Sequence, residues 1–386
     1  MKKLDIFKPE SFIAFYLLFI LLAGIGFLYW KSISRPTLFG FAFVIVSLFV
    51  FYTGVWFSKK HKLKKVKEYW VLGFLAVLSL YYSLIFSTFF RTHWIPALVI
   101  CATTLGFLYP FLKKLAALKK IPLRFYKGLA LTGLAFLTLS FFQIGGIPLL
   151  NSALRMNVDK SWAWSGAIFF LLFGYVGLLF RLEKRSHVYA LIAGATIIMA
   201  LTGFRVTILL FLLSGAIAAY KNKKLDNKTV LVPLACALLL LMFLGYFISG
   251  LANPVTLLFW RASTTHVVYE QVLDASIPFG VEQGNFMLGH ARPRDYLGDF
   301  LGAKNSLTST MLGPPLMEFG PICALLWMLF LGFVLGNAHY SLEKKEPLMK
   351  IFYPVLLALS LVWIEIGFDQ YMLWFVWSYL IMRWLK

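Results

Sequence analysis

An all-α, polytopic membrane fold is predicted by three features of this sequence: its composition, the length of its apolar runs and the placement of its charge. Of the 386 residues, 60% are hydrophobic and 14% charged. The apolar runs repeatedly exceed the ~20 residues that cross a bilayer's hydrocarbon core. They are continuous rather than alternating, and backbone in lipid must satisfy its own hydrogen bonds, so each run reads as a helix and not as a barrel strand. The net charge of +21 sits in short clusters between runs, as at Lys59, Lys60, Lys62, Lys64, Lys65 and Lys67. That is the positive-inside pattern, with anionic headgroups as an added partner. It is not a nucleic-acid surface.

Residues 1–386 are expected to form a single transmembrane domain of about twelve helices. The spans fall near 11–30, 37–57, 69–89, 94–112, 128–147, 163–180, 188–204, 206–220, 229–250, 313–337, 351–367 and 371–384. The first is too long and too poorly flanked for a cleavable signal peptide and reads as a retained span. Only Arg205 separates the seventh from the eighth, which suits a tight hairpin or two tilted helices. Lys113–Tyr126 interleaves leucines with lysines and reads as a short surface helix. Cys101, Cys236 and Cys323 lie inside apolar runs without paired spacing, so neither a disulfide nor a metal site is expected.

Alternate connecting segments carry 27 and 10 of the 37 Lys and Arg residues. This bias puts both termini of a multi-pass cell-membrane protein in the cytoplasm. The largest connection, 251–312, then lies outside the cell between helices 9 and 10. It is far longer than an ordinary connector, and its acidic and basic residues nearly cancel. Within it Phe259–Ala275 reads as a helix and Gly280–Gly302 as an irregular, Gly-rich lid.

Five arginines on this outer face are candidates for binding phosphate. Arg205, in LTGFRVTILL, stands between two hydrophobic helices, where a guanidinium is costly unless paired or employed. Its planar fork matches phosphate oxygens, although a snorkelling side chain that sets a hairpin turn is the competing role. Arg155 follows the GGIPLL turn, and an exposed salt bridge with Asp159 competes with ligand binding there. Arg261 shares a helical face with Thr265 and Val268. On another face His266 and Glu270 stand at i,i+4, a spacing that most often makes a surface pair and can also make a general base. The stretch GHARPRD gathers His290, Arg292, Arg294 and Asp295, a density of donors suited to phosphate and to accepting a proton from a sugar hydroxyl. Glu318, in TSTMLGPPLMEFGP, could activate an acceptor, pair with an arginine or cap a helix, and Glu365 with Asp369 lies near the end of a later span.

Three stretches together resemble the O-antigen or oligosaccharide repeat-unit polymerase family, its archaeal branch most closely. They are GGIPLL with Arg155, TGFRVT around Arg205, and TSTMLGPPLMEFGPICALLWMLFLG. The resemblance implies a multi-span glycosyltransferase whose donor is a polyprenyl- or dolichyl-linked diphosphate, used without nucleotide, cofactor or metal. By position Arg205 would match the arginine near the donor phosphates and Arg155 a second outer-face arginine. The related ligases carry a histidine just before the corresponding helix start, where this chain has Ser309 and Thr310, so His290 and Glu318 become the candidate catalytic residues. The expected function is polymerisation of lipid-diphosphate-linked repeat units on the extracytoplasmic face. Donor and acceptor glycolipids, membrane lipids and a chain-length regulator are the expected partners. A glycan ligase is the nearest alternative. A transporter or flippase for lipid-linked sugars would instead place charge at mid-membrane and show internal repeats.

Overall fold

The computed structural model describes residues 5–30, 36–61, 67–90, 121–161, 163–233, 253–283, 293–303, 306–367 and 373–385, with single residues and pairs between 95 and 118 and at 235 and 239. Among these the secondary structure is entirely helical. The helices are α1 (Ser11–Tyr29), α2 (Leu38–Lys60), α3 (Glu68–Phe90), α4 (Leu123–Ile144), α5 (Ala163–Leu179), α6 (Arg185–Ala200), α7 (Arg205–Lys221), α8 (Pro254–Ala275), α9 (Pro293–Phe300), α10 (Gly313–Glu343), α11 (Met349–Ile366) and α12 (Leu373–Leu385), with a 3-10 helix at Ser152–Lys160. Five of them, α1, α2, α4, α10 and α11, are long and apolar enough to cross a bilayer, and α5 and α6 are shorter apolar helices. The protein is a polytopic helical membrane protein. The fourth predicted span lies partly, and the ninth mostly, outside the described residues.

Several elements differ from the sequence expectation, three of them around the outer connections and the start of α4. Leu123–Tyr126 is the first turn of α4 and not part of a separate surface helix, because Pro122 sits in extended backbone (φ −67°, ψ 148°) immediately before it. Helix α8 starts at Pro254 rather than 259. Asn253 accepts a hydrogen bond from the Val255 N–H at 2.9 Å, and proline occupies the first helical position, where no donor is missed. The Gly-rich lid contains the two-turn helix α9.

Contacts divide the chain into two compact units. The first comprises 1–15, 120–259 and 338–362. In it α4 packs closely on α5, where Gly133 lets the Leu171 backbone approach, and α6 and α7 form a tight hairpin. The amino-terminal segment is fastened to this unit from two sides. Lys221 Nζ lies 2.6 Å from an Asp5 carboxylate oxygen, and the Tyr353 hydroxyl donates to the Phe7 carbonyl at 2.6 Å.

The second unit comprises 16–119, 260–337 and 363–386. Its tightest seam runs between α2 and α10. A Cβ at Gly332 would collide with the Phe51 carbonyl, and one at Gly336 with the Ser58 hydroxyl. This is the small-xxx-small solution to helix packing in lipid, where van der Waals contact replaces the hydrophobic effect. Trp363, wholly buried, fills the same unit and lies 6.2 Å from the Trp327 ring.

Candidate functional site

In the first unit the fold joins two motifs that are about fifty residues apart in sequence. Helix α4 ends at Gly145, whose left-handed φ of 89° turns the chain, and its N–H caps the carbonyls of Phe141 and Phe142. The chain then crosses the α6–α7 turn, where the Leu149 N–H donates to the Leu201 carbonyl at 3.1 Å. The 3-10 helix that follows is capped by the Asn151 side chain on the Ala153 N–H and carries Arg155 back to that turn. Arg155 Nη1 donates to the Gly203 carbonyl at 3.4 Å. Its Cδ would stand 3.2 Å from a Cβ at Gly203, a position whose φ of +68° favours glycine, so a side chain there would be strained and would crowd the arginine. Arg155 is half-buried, and its partner among the described residues is a backbone carbonyl two positions before Arg205; the side chain of Asp159, the expected salt-bridge partner, lies outside the described residues.

Arg205 is the first residue of α7 and is half-buried. The hairpin turn carries hydroxyl pairs of its own: Thr202 and Thr207 share a hydrogen bond of 2.9 Å, Thr202 accepts from the Phe204 N–H, and Thr207 donates to the Phe204 carbonyl. The N-cap residue, Phe204, offers no side-chain acceptor to the first turn. Helix α7 thus points the positive end of its dipole towards this turn, beside Arg205, with Arg155 at the adjoining carbonyl. This is the chemistry of an anion site.

The second unit holds the remaining described candidates. Arg261 forms an ion pair with Glu365. His266 and Glu270 are not the surface pair that their spacing suggests. Both are buried, with Nε2 3.3 Å from Oε1 at an angle outside hydrogen bonding. The imidazole stacks on Phe41, with Phe27 edge-on, while Glu270 accepts the Thr37 N–H at 2.9 and 3.0 Å at the start of α2. Glu270 therefore anchors a helix terminus by accepting its orphan donor. Arg294 is half-buried in α9, and its carbonyl accepts from the Leu307 N–H at 2.9 Å. Nearby, the Tyr296 hydroxyl donates to Glu282; lost hydration and then the neighbouring carboxylate push its phenol up to about 12. His290 and Arg292 lie outside the described residues.

Glu318 is buried, and its setting is not the plain helix start that the sequence suggests. Helix α10 is broken directly after it, at Phe319 (φ −140°, ψ 16°) and Gly320 (φ 78°, ψ −164°). Tyr81 and Cys323 lie within electrostatic reach of its carboxylate. The break is the feature that sequence reasoning missed, although Gly320–Pro321 marks it. Upstream, Ser309 and Thr310 are buried, and the Thr310 carbonyl accepts from the Gly313 N–H as α10 begins.

A family model described as "Putative O-antigen polymerase" matches residues 5–377. The chain belongs to the O-antigen polymerase family. Membership makes it a membrane polymerase of lipid-linked oligosaccharide repeat units, with a glycosyltransferase-like activity and lipid-linked oligosaccharides as its substrates. An uncharacterized protein of Methanocaldococcus jannaschii is 26% identical over 255 residues, which span 62% of this chain and 70% of that protein. No solved structure matches.

Proposed function

We propose that this polymerase works on the extracytoplasmic face, takes its donor glycan from a lipid diphosphate, and holds that diphosphate with Arg205 and Arg155 at the amino end of α7. The observation that carries this reading is the docking of the Arg155 side chain on the Gly203 carbonyl, which brings the GGIPLL and TGFR motifs of the family together. In the reaction an acceptor hydroxyl attacks the anomeric carbon of the donor. The bond from that carbon to the diphosphate oxygen breaks, and the lipid diphosphate leaves with the electron pair. Guanidinium donors and the positive end of the α7 dipole stabilise the charge that develops on the leaving oxygens, a contribution of several kcal/mol in a water-poor site. The proton of the acceptor hydroxyl passes to a general base.

Purified protein incubated in detergent with a lipid-diphosphate oligosaccharide is expected to yield a ladder of multiples, in the presence of EDTA and with no membrane gradient. A single transfer product would indicate a ligase, and loss of the ladder on chelation with recovery on adding a divalent ion would remove the metal-free mechanism. Orientation is tested separately with cysteine labels. One at Lys59 should be protected from reagents outside the cell and one at the exposed Asp299 should react. Equal reactivity of both from outside would reject the topology.

A further inference from the structure

The break in α10 is repaired by a segment that the sequence assigns to the aqueous lid. In an unbroken helix the Met317 carbonyl would accept from residue 321 and the Glu318 carbonyl from residue 322. Residue 321 is proline, which has no N–H, and the Gly320 backbone turns away from helical geometry. Both carbonyls would be orphaned. Instead, Val281 and Glu282 donate to the Met317 carbonyl at 2.9 and 3.0 Å, and Gln283 donates to the Glu318 carbonyl at 2.9 Å. Within the repairing loop the Gly280 N–H donates to the Ser276 carbonyl at 2.7 Å. The two backbones meet glycine to glycine. A Cβ at Gly320 would lie 2.6 Å from the Pro278 carbonyl oxygen, and one at Gly280 would lie 2.7 Å from the Glu318 carbonyl.

Pairing of the two freed carbonyls is what a broken helix needs in a medium that offers no hydrogen bonds. The side chains of the segment agree with such a medium. Ile277, Phe279 and Val281 are exposed, Phe279 by 70%, and they flank Phe319, Ile322 and Leu326 of α10, which are exposed as well. Ile322 and Leu326 stand one turn apart on a helix that is apolar and long enough to span the bilayer, so this face of α10 meets lipid. The loop's apolar side chains continue that face. An exposed apolar patch of this extent in water would be a liability.

We propose that the apolar side chains of residues 277–281 are inserted among the hydrocarbon chains of the bilayer, where the segment completes the broken helix and keeps Glu318 out of bulk water. The occupant of the patch is the bilayer's own acyl chains. Of the loop at 251–312, this segment belongs to the membrane, whichever substrate the polymerase takes.

Nitroxide labels at Phe279→Cys and Val281→Cys, on a background without Cys101, Cys236 and Cys323, test this in phosphatidylcholine vesicles. Collision rates with oxygen and with a water-soluble nickel chelate are compared against labels at Ile322→Cys and Asp299→Cys. The expected result is that both loop labels favour oxygen several-fold over nickel, as the Ile322 label does. Nickel access equal to that of the Asp299 label would overturn the proposal. So would protection that appears only after a prenyl diphosphate is added, since the patch would then serve a carrier tail. Wild-type protein irradiated with a photoactivatable acyl phospholipid gives an independent readout that needs no substitution. Adducts are expected on the peptide containing 276–283, and their absence, with α10 modified, would reject the insertion.

Discussion

Arg205→Ala is expected to reduce polymerisation by roughly a hundredfold or more, the cost of removing a strong donor from a developing oxyanion. The substitution removes a half-buried guanidinium at the first residue of α7. It leaves in place the Thr202–Thr207 bond and Gly203, which close the turn, so expression and thermal stability should change far less than turnover. Arg205→Lys keeps the charge and loses the two-pronged donor geometry, and should recover only part of the rate. Arg155→Ala separates position from charge. Arg155 reaches the Gly203 carbonyl, so its loss should loosen the turn as well as weaken the phosphate site. Normal polymerisation by Arg205→Ala would make this arginine a topological anchor. Loss of fold in Ala together with full rescue of fold and activity in Lys would favour snorkelling.

The helical class and most of the described span positions were legible because run length and hydrophobicity are local properties of the chain. Helices α1, α2, α3, α5, α11 and α12 begin and end within about two residues of the boundaries read from apolar runs, the ordinary error of such readings, except that α2 runs on through Lys59 and Lys60. The functional geometry was less legible, for a physical reason. An i,i+4 spacing puts His266 beside Glu270, but burial is decided by Phe27, Thr37 and Phe41, more than two hundred residues earlier. The GGIPLL and TGFR motifs are each visible in sequence. Their junction depends on the Gly145 turn and the 3-10 helix that returns Arg155 to Gly203. Likewise Gly320–Pro321 announces a helix break, while the donors that make the break tolerable come from 281–283. Local signals mark each half of a contact, and the fold decides which halves meet.

Gly320→Ala is expected to destabilise the fold strongly. The residue sits at φ 78°, ψ −164°, a region that non-glycine residues scarcely occupy. Backbone strain alone costs about 1–3 kcal/mol there. The new methyl would also lie 2.6 Å from the Pro278 carbonyl oxygen and 2.8 Å from the Gly280 nitrogen, both backbone atoms that cannot swing aside like a flexible side chain. Relief requires the 276–283 segment to lift. Lifting it removes the donors to the Met317 and Glu318 carbonyls and exposes the buried carboxylate of Glu318. Each orphaned carbonyl adds roughly 1–3 kcal/mol if it stays dry. The expected outcome is a marked fall in the temperature at which the protein stays monodisperse in detergent, with activity lost even in the folded fraction. Gly24→Ala is the control: it lies in α1 with no heavy atom within 4 Å of the new methyl, and alanine is the better helix former by about 1 kcal/mol. Pro321→Ala separates strain from pairing. It restores the N–H at 321, so a helical hydrogen bond to Met317 can compete with Val281 and Glu282, and slower polymerisation with unchanged thermal stability is expected. If Gly320→Ala is as stable as the parent, the close approach of 276–280 to the α10 break does not exist in the folded protein, and the membrane-inserted segment goes with it.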